Sequence, residues 1–246
     1  MSFSKWVGGG LGWAFGGPIG GILGFAIGAM MDHMSGPAQE TIGTGGARTR
    51  STTAGDLEVS LVVLTAALMK ADGRVTQSEL EHVRRFFVQQ FGAPRAGQLL
   101  VLLRDALKKE IPVNDVCEQV RHHMPHPIRL QLIHYLIGLA HADGRVDRQE
   151  FDLLKRMAHT MGVSDKDLGS LSAMFRTADP TASYAVLEIP KSATDDEVKK
   201  AYRRMAMKYH PDKVAHLGED VQKAANEKFK KVQQAYEAVQ SERGMT

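Results

Sequence analysis

The 246-residue chain contains a single cysteine, Cys117. One thiol can neither close an internal disulfide nor supply a zinc site alone, which excludes a secreted disulfide scaffold and favours a reducing compartment. Charge of one sign is scarce as well: 31 Lys and Arg stand against 28 Asp and Glu, a formal net charge of +3. Residues 56–181 carry sixteen basic and sixteen acidic side chains, and residues 182–246 carry twelve and ten. Neither stretch has the basic excess of a general nucleic-acid binder, so no nucleic acid is expected as a partner. No phosphate-cradling glycine loop or nucleophile–base motif stands out, so no catalytic residue, no cofactor and no enzymatic activity are expected. With 43% hydrophobic and 24% charged residues, the chain is nonetheless too apolar to be disordered throughout.

What the chain does have is an uneven glycine distribution. Of 24 glycines, 14 lie in the first 46 residues, and ten fall between Trp6 and Met31, where no residue is charged. A helix over those 26 positions would be about 39 Å long, against the roughly 20 apolar residues that cross a bilayer core. Gly8, Gly12, Gly16, Gly20, Gly24 and Gly28 form an unbroken i,i+4 series. In water each glycine weakens a helix by about 1 kcal/mol relative to alanine. In lipid the same residues let helix backbones approach closely. Residues 1–34 are therefore expected to be a membrane helix with a self-association face, giving a homodimer or oligomer. A flexible arm or a soluble oligomerising helix is the competing reading. A cleaved signal peptide fits poorly, because no A-x-A site follows the apolar stretch. Lys5 before the segment and Arg48 and Arg50 after it code orientation only weakly. Residues 35–55, rich in Gly, Ser, Thr and Ala, read as a flexible tether.

The middle of the chain repeats itself. AALMKADGRVTQSEL at 66–80 and IGLAHADGRVDRQEF at 137–151 share the core ADGRV. Leu57, Leu61, Leu64 and Leu68 precede the first core at helical spacing, and Leu132, Ile133, Leu136 and Leu139 precede the second. Gly73 and Gly144 suit a left-handed helix end. Thr76 with Glu79, and Asp147 with Glu150, occupy capping-box positions, and Val75 with Leu80 and Val146 with Phe151 occupy the staple positions. With further helical stretches near 97–109 and 113–122, residues 56–176 form one all-α unit, followed by a linker at 177–181.

This duplicated hairpin resembles the TerB-like domain of tellurite-resistance proteins. The resemblance implies that Asp72, Glu79, Asp143, Asp147 and Glu150 are candidate ligands for a divalent metal. Helix capping is the preferred role, since the spacing lacks the five-ligand loop of an EF-hand. The histidines in Arg121-His122-His123-Met124-Pro125-His126-Pro127 are expected in an exposed interhelical loop, and Cys117 is expected to be a small buried apolar residue.

Residues 182–246 carry the most specific signal. Tyr184-Ala185-Val186-Leu187 makes a short apolar helix ended by Pro190, and Thr194-Asp195-Asp196-Glu197 is a second capping box. The helix that follows places Val198, Ala201, Tyr202, Met205 and Ala206 on an apolar stripe and Lys199, Lys200, Arg203, Arg204 and Lys208 on the remaining face. Pro211 cannot continue it. A loop is expected to about Asp220, then a second long helix with Ala225, Phe229, Val232, Tyr236 and Val239 at core spacing.

At the bend stands His210-Pro211-Asp212, within KYHPDK at 208–213. Together with Tyr184, Leu187, Tyr202 and KFKKVQQAYEAV at 228–239, it strongly resembles the J domain of DnaJ-type co-chaperones. The fourth short helix that many J domains add is not expected before Thr246. The resemblance implies that His210, Pro211 and Asp212, with Lys199, Lys200, Arg203, Arg204, Lys208 and Lys213, engage a DnaK-type chaperone of the heat-shock protein 70 family. Such contact stimulates the partner's ATP hydrolysis and locks its client. The zinc-binding repeats and Gly/Phe linker of ordinary DnaJ have no counterpart.

A membrane-type segment, a TerB-like domain and a terminal J domain, in that order, resemble the DjlA class of membrane-anchored DnaJ-like co-chaperones. That resemblance implies a single-pass type III protein of the bacterial inner membrane with its C-terminal domains in the cytoplasm. Two alternatives come from other classes: a metal- or stress-responsive TerB-type interaction protein with an accessory J domain, and a soluble oligomeric J protein.

Overall fold

A computed structural model describes Ile19 and residues 54–71, 73, 75–141, 148–176 and 181–245. The glycine series at Gly8, Gly12, Gly16, Gly20, Gly24 and Gly28, the tether up to residue 53, Asp72, Asp143, Gly144, Val146 and Asp147 lie outside the described residues, and the last two tether residues, Ala54 and Gly55, already belong to a helix. Among the described residues every regular element is helical, and none of these helices is long and apolar enough to cross a membrane.

The helices are α1 (Ala54–Met69), α2 (Gln77–Leu107), α3 (Val113–His123), α4 (His126–Ala140), α5 (Arg148–Thr160), α6 (Asp165–Ala173), α7 (Ala182–Val186), α8 (Asp195–Lys208), a 3-10 helix (Pro211–Leu217) and α9 (Glu219–Arg243). The first helix of each repeat copy forms the centre. α1 buries Leu57, Leu61, Val62, Val63, Leu64, Ala66 and Leu68, and α4 buries Ile128, Leu130, Leu132, Ile133, Tyr135, Leu136 and Ile137. Both are apolar around most of their circumference because other helices cover them on several sides. Phe86, Phe87 and Phe91 of α2 close round Tyr135, with ring centroids 5.7–6.2 Å apart.

Local chemistry sets the helix ends. The Glu79 amide donates to Thr76 Oγ1 at 3.2 Å and the Thr76 amide donates to Glu79 Oε2 at 2.6 Å, a reciprocal capping box. Gly73, at φ 79°, takes the left-handed turn before it. Gly92, at φ 74° and ψ 160°, breaks α2 in two, and Pro94 begins the second half in the first turn, where proline is tolerated. The staple side chains Val75, Leu80 and Phe151 are each more than a third exposed.

Two expectations about connections are corrected. Arg121, His122 and His123 belong to the last turn of α3, and His126 opens α4, so the break is confined to Met124 and Pro125. Met124 adopts φ −109° and ψ 128° because a residue before proline is pushed out of the helical region. The stretch after Pro211 is a 3-10 helix, not an open loop, and Gly218 at φ 100° turns it into α9.

The C-terminal hairpin of α8 and α9 rests on the repeat-containing unit. α7 packs on α6, the 3-10 helix on α4, and α9 reaches α2. Ile19 is buried, and its amide donates to Gln119 Oε1 at 2.9 Å.

Candidate functional site

The tripeptide at the bend is held by its own backbone. Tyr209 ends α8 with its amide bonded to Met205. His210 then goes extended, φ −61° and ψ 130°, as proline requires of its predecessor. The Asp212 amide donates to His210 Nδ1 at 3.3 Å, so the imidazole caps the 3-10 helix. Accepting at Nδ1 places the proton of the neutral ring on Nε2, the nitrogen away from the backbone. Phe229 of α9 meets the ring edge-on at 5.8 Å and fixes its tilt. The His210 side chain is 51% exposed and that of Asp212 85%. A donor and a carboxylate are thereby presented to solvent on a turn with little freedom, which can bind a polar surface.

The cationic helix supporting this turn is secured at its start. The Glu197 amide donates to Thr194 Oγ1 at 3.4 Å, and the Thr194 amide donates to Glu197 Oε2 at 2.7 Å. Tyr202 and Tyr236 stack at 4.2 Å to join α8 to α9. At the far end Arg243 donates to Tyr184 Oη at 3.0 Å, to the Ala193 carbonyl at 2.5 Å and to the Lys191 carbonyl at 2.5 Å. One arginine therefore pins the last turn of α9 to α7 and the loop after it.

The basic face divides into two stripes at i,i+4 spacing. Lys199, Arg203 and Met207 form one, with Arg203 and Met207 exposed. Lys200, Arg204 and Lys208 form the other, and it descends from solvent into the protein. Arg204 donates to the Leu187 carbonyl at 3.1 Å and lies 3.9 Å from Glu188. Lys208, expected on the open face, is only 21% exposed: it pairs with Glu188 Oε1 at 2.5 Å and with Asp167. The correction has a tertiary cause, since Asp167 lies on α6, 41 positions earlier in the chain. Lys213, beside the tripeptide, is exposed.

Burial would raise the Asp167 carboxyl, but hydrogen bonds from Lys208 and Ser164 outweigh it and hold the group below the usual carboxylate range. Glu188 occupies the left-handed region at φ 59°, where an L side chain is strained and glycine is favoured. Its carboxylate meets both Arg204 and Lys208. Asp167, Glu188, Gln131 and Lys228 were not among the sequence candidates. Asp167 is visible in sequence only as the third residue of a capping box behind Ser164, and nothing there indicates that it faces α8.

Of the candidate metal ligands, Glu79 and Glu150 are described, and both line one shallow cleft between the repeat copies with His82, Leu68 and Leu139. Glu79 already accepts from Thr76, as a cap does. No group of three or more His, Cys, Asp or Glu suited to a metal occurs among the described residues. Cys117 is buried, and burial pushes its thiol up to about 12.

Comparison with known proteins follows the same order along the chain. Family models for the co-chaperone DjlA transmembrane domain, the tellurite resistance protein TerB and the DnaJ domain match residues 1–51, 58–173 and 182–244. Co-chaperone protein DjlA of Photobacterium profundum is 28% identical, over 98% of this chain and 99% of its own. Co-chaperone protein DjlA of Coxiella burnetii is 27% identical, over 72% of this chain and 73% of its own. Chaperone protein DnaJ of Fusobacterium nucleatum is 54% identical over 54 residues, 22% of this chain and 14% of its own. No solved structure matches. With these three domains in this order and relatives aligned over nearly its whole length, the chain belongs to the DjlA type of DnaJ-like co-chaperones.

Proposed function

We propose that the chain recruits a DnaK-type chaperone of the heat-shock protein 70 family to the bacterial inner membrane and stimulates its ATP hydrolysis, without being an enzyme itself. The observation that carries this reading is the capped, solvent-facing turn of His210, Pro211 and Asp212 at the end of a cationic helix. Lys200 and Arg203, with Lys199 and Lys213 beside them, steer an acidic surface toward the turn. His210 Nε2–H and the Asp212 carboxylate then make directional contacts that bias the partner's nucleotide-bound state. Residues 1–34 act as a single-pass type III anchor with the remaining domains in the cytoplasm, where an ATP-dependent partner is available. The glycine series would join two or more copies in the bilayer.

Steady-state ATP turnover by the partner chaperone tests the reading. Wild type should raise it, and His210→Gln should abolish the rise; a variant that stimulates like wild type would refute the assignment of the turn. The burial of Ile19 beside Gln119 favours a second reading, separate from the soluble oligomer, in which Ile19 packs on the helical body instead of lying in the bilayer. Carbonate washing separates the two, because a spanning helix stays in the membrane pellet and a folded-back arm is released.

A further inference from the structure

Among the described residues, three polar contacts join the J domain to the TerB-like domain, one each from α7, α8 and α9. Ser170 of α6 donates through Oγ to the Val186 carbonyl of α7 at 2.8 Å. Asp167 of α6 pairs with Lys208, the last residue of α8. Gln131 of α4 accepts from Lys228 Nζ of α9 at 2.7 Å, with that lysine buried. The Lys228 ammonium also lies 5.1 Å from the centroid of the Tyr209 ring, so the residue before the tripeptide is sealed into the same contact. Pro127 and Gln131 of α4 come up against His210 and Lys213 across a narrow crevice.

This contact covers one flank of the turn while His210 and Asp212 stay exposed on the other. A specific protein partner covers roughly 800 Å² on each side of its interface. A footprint of that size, centred on His210 and running up the cationic helix, overlaps the flank occupied by α4 and α6. The charge pattern matches too. Asp167 gives Lys208 the kind of acidic counter-charge that an acidic chaperone surface would offer, and with Asp167 and Glu188 both in place the ammonium is only 21% exposed to a further carboxylate.

We infer that Asp167, Ser170 and Gln131 form an internal docking surface for the J domain, which competes with the chaperone for Lys208 and holds the J domain partly masked. This rests on the co-chaperone reading above. Undocking exchanges the Asp167 pair for a pair with the partner, so the two states are separated by a modest difference that a ligand of the TerB-like domain can shift.

Lysine labelling of the full chain in lipid nanodiscs, read by mass spectrometry, measures the docking directly. In wild type, Lys208 should react about tenfold more slowly than the exposed Lys200, as expected where the docked state predominates. Asp167→Asn keeps a capping oxygen for Ser164 but loses the charge, and Ser170→Ala removes the bond to Val186. Each should speed labelling of Lys208 and raise chaperone ATP turnover at sub-saturating co-chaperone by about twofold or more. His210→Gln should abolish the gain in either background. Using two independent variants, with helicity checked by circular dichroism, guards against one that fails to fold.

Equal labelling of Lys208 and Lys200 in wild type would overturn the docking. Faster labelling without higher turnover would overturn the competition. If neither wild type nor variant stimulates above His210→Gln while labelling still responds, the co-chaperone reading fails and the masking fails with it.

Discussion

Two lysines of the J domain leave solvent in different ways. Lys208 is half-buried between two carboxylates, whereas Lys228 is buried against the neutral oxygen of Gln131 and the face of Tyr209. Burial pushes the Lys228 ammonium down to about 7 from its ordinary 10.5. Gln131 accepts from it, the Tyr209 ring lies beside it, and its charge helps to lower the nearby His134 imidazole. The folded state therefore binds fewer protons than the unfolded state between those two values, and stability rises with pH across that window. From pH 7 to 9 this single group should add about 2 kcal/mol, because one pKa unit corresponds to roughly 1.4 kcal/mol. Thermal melts at both pH values check it: Lys228→Met should flatten the rise, and an equally steep rise in the variant would show that other groups cause it. Asp167 does not contribute here, since its depressed pKa acts only as pH falls toward the carboxylate range.

At the level of elements, the helix ends were legible in sequence because their chemistry is local. Thr76 with Glu79 and Thr194 with Glu197 cap where their spacing placed them, and the apolar runs before ADGRV became the buried helices α1 and α4. The 3-10 helix at Pro211–Leu217 was not legible, because seven residues with i,i+3 bonds leave no helical periodicity to read. Neither was the left-handed residue Glu188, because its strain is relieved by partners on α8, distant in the chain. Gly162 is similar: at φ 70°, with a Cβ there only 2.8 Å from the Arg129 guanidinium, it is tied to a contact that sequence does not reveal. Removing the Thr194 oxygen with Thr194→Ala should cost about 1 kcal/mol in urea unfolding, the usual value of an N-cap. An unchanged midpoint would mean that tertiary contacts alone hold the start of α8. Stimulation should survive, since the tripeptide lies at the opposite end.

For the whole molecule, the TerB and J domains were readable as separate units, and the contact between them was not. Periodicity, caps and the HPD string are intrinsic to each segment. The pairing of Asp167 with Lys208 and of Gln131 with Lys228 exists only once two folded surfaces meet. The sequence places five cations on one face of α8 but does not reveal that Lys208 is half-buried against Asp167, or that Arg204, itself still half exposed, reaches the Leu187 carbonyl. Under the proposed function, the same arrangement would let an anchor fix the position while the middle domain holds one flank of the turn against its own surface. Whether that turn drives the partner is most directly measured by single-turnover hydrolysis of ATP preloaded on a DnaK-type chaperone. The full chain in nanodiscs should accelerate hydrolysis about tenfold or more, an effect of roughly 1.4 kcal/mol on the barrier, and Asp212→Asn should return it to the basal rate. Equal acceleration by both proteins, or none by either, would contradict the account.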